Sequence, residues 1–176
     1  MFYMIKKYSK KYIAEFVYGA TDGTVTTFAI ISGVVGAGLS PLIVLILGVS
    51  NVLADGFSMA SSNYLSERSE IALSGHKQKN KHPIKSSAVT FVSFIAIGTI
   101  PLSPFIVALG SSWVADRQFL ISFIATGIAF ALVGAIRGRV TGEHPLATSF
   151  ETLVIGGIAA GIAFSVGFGL RILIGV

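Results

Sequence analysis

The sequence contains no cysteine. That absence excludes a disulfide framework, a thiolate zinc site, an iron–sulfur cluster and a cysteine nucleophile. Charge is also scarce. Asp, Glu, Lys and Arg make up 12% of the 176 residues, about half the share of an ordinary soluble domain. Hydrophobic residues make up 53%, and the mean hydropathy is +0.80. Too few polar residues remain to clothe one core in a polar shell, so a water-soluble globule is excluded. Sustained period-two alternation is lacking, which argues against a membrane β-barrel. No phosphate loop, nucleophile motif, dinucleotide fingerprint or paired catalytic group occurs, so an enzyme is the least supported class.

What is present is long apolar runs. A membrane-spanning helix needs about 20 mostly apolar residues, and five stretches qualify: about 16–38, 41–64, 84–109, 119–140 and 146–176. Connections are short and no composition break suggests a second domain, so residues 1–176 read as one all-α, polytopic membrane domain. Lys6, Lys7, Lys10 and Lys11 precede the first run, which faintly resembles a signal peptide. Glu15 and Asp22 interrupt that run and no small-residue cleavage site follows, so it reads as an uncleaved lead-in. Tyr3, Tyr8, Tyr12 and Tyr18 suit an interfacial belt.

The basic residues set an orientation. Eleven of the 13 Lys and Arg fall on one side of the five runs, leaving only Arg117 and Arg171 on the other. The positive-inside rule then places the N-terminus in the cytoplasm and the C-terminus outside. Topology thus accounts for the pI of about 9.6 without nucleic acid as a partner, and the basic surface suits anionic lipid. The second helix can continue from Pro41 to about Ser74, where Gly75 stops it. At 1.5 Å per residue that is roughly 50 Å, against a hydrocarbon core of about 30 Å. Its last turns, with Glu67, Arg68 and Glu70, are therefore expected to project into the cytoplasm.

Several residues do not belong in lipid. Asp22 lies a third of the way into the first run, where a charge costs roughly 2.5–3.5 kcal/mol on insertion scales. It reads as a functional acid, as a helix–helix hydrogen-bonding group, or as a site that water reaches where Gly23 breaks the helix. Glu15, seven residues earlier, shares its face and marks either the cytoplasmic mouth or a headgroup contact. On the second helix Asn51, Asp55, Met59, Asn63 and Glu67 recur every four residues, a slowly drifting stripe flanked by Ser58, Ser62 and Ser66. Such a stripe must face protein or water. It is either a cation or proton path or a polar helix seam. Carboxylate and amide oxygens with one thioether suit a borderline divalent ion such as Fe²⁺ or Mn²⁺. No histidine lies inside a run; His76, His82 and His144 are all expected on the cytoplasmic side, which leaves any proton coupling to carboxylates.

The remaining runs read as scaffold. Gly157, Gly161, Ser165 and Gly169 form a small-residue face for close helix packing, and Gly127, Ala131 and Ala135 form another. Pro101 and Pro104 are expected to kink the third run. Glu151 is either an auxiliary acid or interfacial.

Together these segments resemble the vacuolar iron transporter family. The resemblance is carried by Tyr18-Gly19-Ala20-Thr21-Asp22-Gly23 through Ser32-Gly33-Val34, and by Leu53-Ala54-Asp55-Gly56-Phe57-Ser58-Met59-Ala60 with Asn63-Tyr64-Leu65-Ser66 and Ser69-Glu70. Ile100-Pro101-Leu102-Ser103-Pro104, Gly134-Ala135-Ile136-Arg137-Gly138-Arg139, Ile155-Gly156-Gly157 and Ala159-Ala160 follow in order. The resemblance implies a five-span fold with a cytoplasmic N-terminus, a homodimer, and a metal path near the dimer axis lined by the first two helices. It implies export of Fe²⁺, often also Mn²⁺, from the cytoplasm in exchange for protons, with no resident cofactor. Asp22 falls on the family's intramembrane metal-binding aspartate, Met59 on its pathway methionine and Glu15 on an acidic position at the mouth. Eukaryotic members insert an acid-rich metal-capture domain after the second span. Here the segment from Ile71 to Lys85 is short and has no acid, which leaves capture to Glu67 and Glu70. Asn51 stands where plant members tend to carry Glu. A vacuolar location does not transfer, and the small chain suggests a prokaryotic plasma membrane. A passive cation channel using the same residues and a non-transporting accessory membrane protein are the other classes the sequence allows.

Overall fold

The computed structural model describes residues 11–74 and 82–175. Lys6, Lys7, Lys10, Tyr3 and Tyr8, and likewise Gly75, His76, Lys77, Lys79 and Lys81, lie outside the described residues. Among the described residues seven helices follow in order: α1 (Ile13–Ala37), α2 (Pro41–Leu73), α3 (Pro83–Gly98), α4 (Ser103–Ala108), α5 (Ser112–Ala115), α6 (Gln118–Thr141) and α7 (Pro145–Ile174). No strand occurs among the described residues. Proline marks the starts: Pro41, Pro83, Pro104 and Pro145 each sit in the first two positions of a helix. There the missing N–H costs nothing and the fixed φ suits the helix.

α2, α6 and α7 are each long and apolar enough to cross a membrane. α3 is apolar but has 16 residues. α1 carries Glu15, Asp22 and four threonines over its 25 residues, and it is the inner helix, packed against α2, α3, α6 and α7. Its neighbours approach at glycines. A Cβ on Gly19 would overlap the Thr90 carbonyl of α3, and one on Gly23 would lie 2.5 Å from the Phe94 carbonyl. A Cβ on Gly98 of α3 would in turn lie 2.8 Å from the Gly23 carbonyl. Toward its other end α1 meets α7, where Gly36 faces the Phe164 backbone and Gly167 faces Gly33. With little hydrophobic drive between helices in lipid, backbone contact of this kind is what holds a bundle. Side chains add an apolar cluster of Ile31, Val34, Val44, Val52, Leu102 and Phe105 and a smaller one of Phe28, Phe130 and Ala160.

The run expected as one kinked helix over 84–109 is broken instead. α3 ends at Gly98, four residues turn, and α4 begins at Ser103. Pro101 and Pro104 remove two donors three residues apart, more than one kink absorbs. The Ser122 hydroxyl of α6 donates to the freed Pro101 carbonyl at 2.7 Å, as buried backbone requires inside a membrane.

The small-residue faces also differ from expectation. α7 buries Thr148, Thr152, Gly156, Ala160 and Gly167, while Gly157, Gly161 and Gly169 have open space where a Cβ would stand and Ser165 is exposed. The used stripe lies one residue, about 100°, round the helix from the expected one. On α6, Gly134 and Gly138 press against α7 at Ser149 and Pro145, whereas Gly127 meets nothing. Thr148 and Ser149 hydroxyls donate to the Gly134 and Ala131 carbonyls, each at 2.7 Å. A paired substitution separates the two faces. Gly156→Ala drives a methyl into the buried Phe130 ring and is expected to cost about 1–3 kcal/mol of stability. Gly157→Ala should change it by less than about 0.5 kcal/mol, both read from thermal unfolding in detergent.

Alternating helix directions collect Lys11, Arg68, Lys85, Arg137 and Arg139 at one end of the bundle, the basic end, with Arg117 and Arg171 at the other. His82 and His144 are exposed at the basic end.

Candidate metal path on the first hairpin

α1 and α2 form an antiparallel hairpin, and its turn sets the levels of the candidate residues on the two helices. Gly38 closes α1 at φ 68°, a left-handed conformation that a Cβ would strain, and the Arg171 guanidinium lies against it. Ser40 then caps α2 through its side chain, which accepts from Leu42 N at 3.3 Å. From this turn both helices rise together, so Asp22 lies about 24 Å below Gly38 and Asp55 about 22 Å below Ser40. The two half-buried carboxylates are therefore level.

The stripe on α2 faces inward. Met59 and Glu67 are buried, and Asn51, Asp55 and Asn63 are half-buried, whereas Ser58, Ser62 and Ser66 are exposed. Asn63 is held from outside the hairpin: its Nδ2 donates to Thr90 Oγ1 of α3 at 2.8 Å. The amide nitrogen is thereby engaged, and the carbonyl oxygen stays free as an acceptor. Several buried polar atoms along this hairpin have no hydrogen-bond partner within the chain: Glu15 Oε2, Thr27 Oγ1 and Ser32 Oγ on α1, Asn51 Nδ2 and Glu67 Oε2 on α2, and the Tyr12 hydroxyl just before α1. Unpaired buried polar atoms are costly, and these six lie on or just before this hairpin. Other buried hydroxyls are satisfied locally; Thr24, for example, donates to the Ala20 carbonyl at 2.7 Å.

Not every candidate joins this arrangement. Glu70 is exposed near the end of α2. Glu151 is exposed and bound by Arg137, which also pairs with Glu143 at 3.4 Å, so it clamps the α6–α7 hairpin at the basic end. Among the described residues no three His, Asp or Glu side chains gather in one place. One chain thus supplies the carboxylates Asp22 and Asp55 with amide and thioether neighbours, short of the six or more oxygens that hard divalent ions prefer. Thr90, which anchors Asn63, is not evident from the α1 and α2 patterns. Its only sequence signal is the Ser86, Thr90, Ser93 spacing on α3.

A helical bundle with three membrane-length apolar helices and a buried acid-bearing hairpin defines an integral membrane protein. The chain belongs to the VIT family, whose model matches residues 13–74 and 71–168. The chain is similar to a vacuolar iron transporter of Toxoplasma gondii, 26% identical over 95% of this chain and 77% of that protein. It is likewise similar to a vacuolar iron transporter of Plasmodium berghei, 24% identical over 92% and 83%, and to vacuolar iron transporter 2 of rice, 23% identical over 86% and 85%.

Proposed function

We propose that this chain is a secondary transporter that carries Fe²⁺, and also Mn²⁺, out of the cytoplasm in exchange for protons. The observation that carries this reading is that Asp22 and Asp55 stand at one depth of the bundle on facing helices, with the buried Met59 one turn from Asp55. Membership of a family whose named relatives are iron transporters supports it. In this reading α1, α2, α3 with α4, α6 and α7 make five spans, the basic end faces the cytoplasm, and the C-terminus lies outside. The chain works as a homodimer: a second copy would double the carboxylates and complete a coordination shell that one copy leaves short. The setting is a prokaryotic plasma membrane.

The cation meets Glu67, Glu70 and Glu15 near the basic end, sheds water, and binds at Asp22, Asp55, Met59 and the Asn63 carbonyl, with Asn51 further along. Protons arriving from outside neutralise Asp22 and release the ion. The test is flux of Fe²⁺ and Mn²⁺ into proteoliposomes with and without an imposed pH gradient. Flux driven by the proton gradient supports the exchanger; flux indifferent to pH converts the reading to a channel. Thr90→Val adds a finer check. It frees the Asn63 amide without touching a proposed ligand and is expected to raise the half-saturating metal concentration about tenfold, the lower range for losing a group that orients a ligand.

A further inference from the structure

On the side of α2 away from the acid stripe lies an open groove that the transport reading does not use. It is bounded by Phe57, Ala60, Tyr64 and Leu65 of α2 and by Ile84, Ala88 and Phe91 of α3, with a volume of about 550 Å³. Its walls are mostly apolar, with Ser61 and Ser87 among them, and they are uncovered: Phe57 is 68% exposed, Leu65 62% and Ile84 72%. From Phe57 to Leu65 the groove runs about 12 Å along the helix axis toward the basic end. At that end stands Arg68, one turn beyond Tyr64 on the same face of α2. Its Nη1 donates to the Tyr64 hydroxyl at 3.1 Å, and the guanidinium lies 5.8 Å from the Tyr64 ring centre. The Tyr64 oxygen accepts this bond, so its own proton remains free to donate. Lys85, next to Ile84, is exposed and can reach the same headgroup level.

The geometry points to a binding site for an anionic phospholipid, with an acyl chain lying in the α2–α3 groove and the phosphate held by Arg68, the Tyr64 hydroxyl and Lys85. The charge order favours this occupant: an apolar trough ends at two cations and a phenol, matching tail and headgroup in turn. Glu67 is buried on another face of α2 and does not oppose it. The connecting residues 75–81 are Gly, His, Lys, Gln, Lys, Asn and Lys, with no apolar side chain to fill the trough.

The test is native mass spectrometry of the full chain taken from bilayers of equal phosphatidylglycerol and phosphatidylcholine. Phosphatidylglycerol should be retained preferentially. Arg68→Gln should lower that retention about fivefold, the effect of about 1 kcal/mol per basic side chain at a lipid surface. Ala88→Trp, which fills the trough while leaving both cations, should abolish retention. Equal retention of the two lipids, or retention unchanged in both variants, overturns the site. Conversion of a dimer to monomer by Ala88→Trp would also overturn it and assign the groove to a second copy of the chain. The readout is independent of transport, so it stands or falls apart from the exchanger.

Discussion

Asp22→Asn is expected to cut proton-driven metal flux at least about a hundredfold while leaving the bundle folded. The magnitude follows from the role. Losing a group that merely orients a ligand costs 10–100-fold, and Asp22 is proposed as ligand and proton acceptor at once. Asparagine keeps the volume and one oxygen but has no charge to neutralise a cation and no carboxylate to protonate. Asp22 is half-buried at the level of Asp55, and burying a charge is costly, so replacing it with a neutral amide should leave thermal stability in detergent unchanged or raised. Asp55→Asn is the companion measurement, since the same geometry makes Asp55 its partner. Full flux in Asp22→Asn would remove this residue from the mechanism.

Gly98→Val should destabilise the bundle by about 3 kcal/mol, the upper range for overpacking a filled core. A Cβ at Gly98 would stand 2.8 Å from the Gly23 carbonyl and 2.9 Å from its carbonyl carbon, and backbone has no rotamer with which to yield. The α1–α3 crossing must then open, and Gly23 adjoins Asp22, so flux should fall as well. Gly127→Ala is the control: nothing stands within 4 Å of a Cβ there, so unfolding and flux should match the unaltered chain. Equal melting temperatures for Gly98→Val and Gly127→Ala would mean that the glycine crossing does not hold α1 in place.

Periodicity made the α2 stripe readable in advance, because a spacing of four needs only helical geometry to bring Asn51 through Glu67 to one side. What could not be read was which small-residue face meets protein. Gly156 and Gly157 are chemically equal, and only the Phe130 ring against Gly156 distinguishes them. The same holds for Gly134 against Gly127 on α6. The two prolines at 101 and 104 announced a disturbance, but its size depended on Ser122 arriving from another helix to hold the Pro101 carbonyl. The Arg137 clamp spans a turn between two helices, so no single-helix pattern exposed Glu151 as its partner. Asn63's dependence on Thr90 is of the same non-local kind.

α2 runs without interruption from the hairpin turn to Leu73, and the family model matches in two pieces that meet at residues 71–74, its far end. The alignment with the Toxoplasma relative spans 232 positions although this chain has 176 residues, so that relative carries insertions. A continuous helix works like a drive shaft. Any module grafted onto its tip is indexed to Asp55 and Met59, turning by about 100° and rising by about 1.5 Å for each helical residue added. Adding one residue at the tip would therefore re-aim the module, whereas adding seven would nearly restore its bearing.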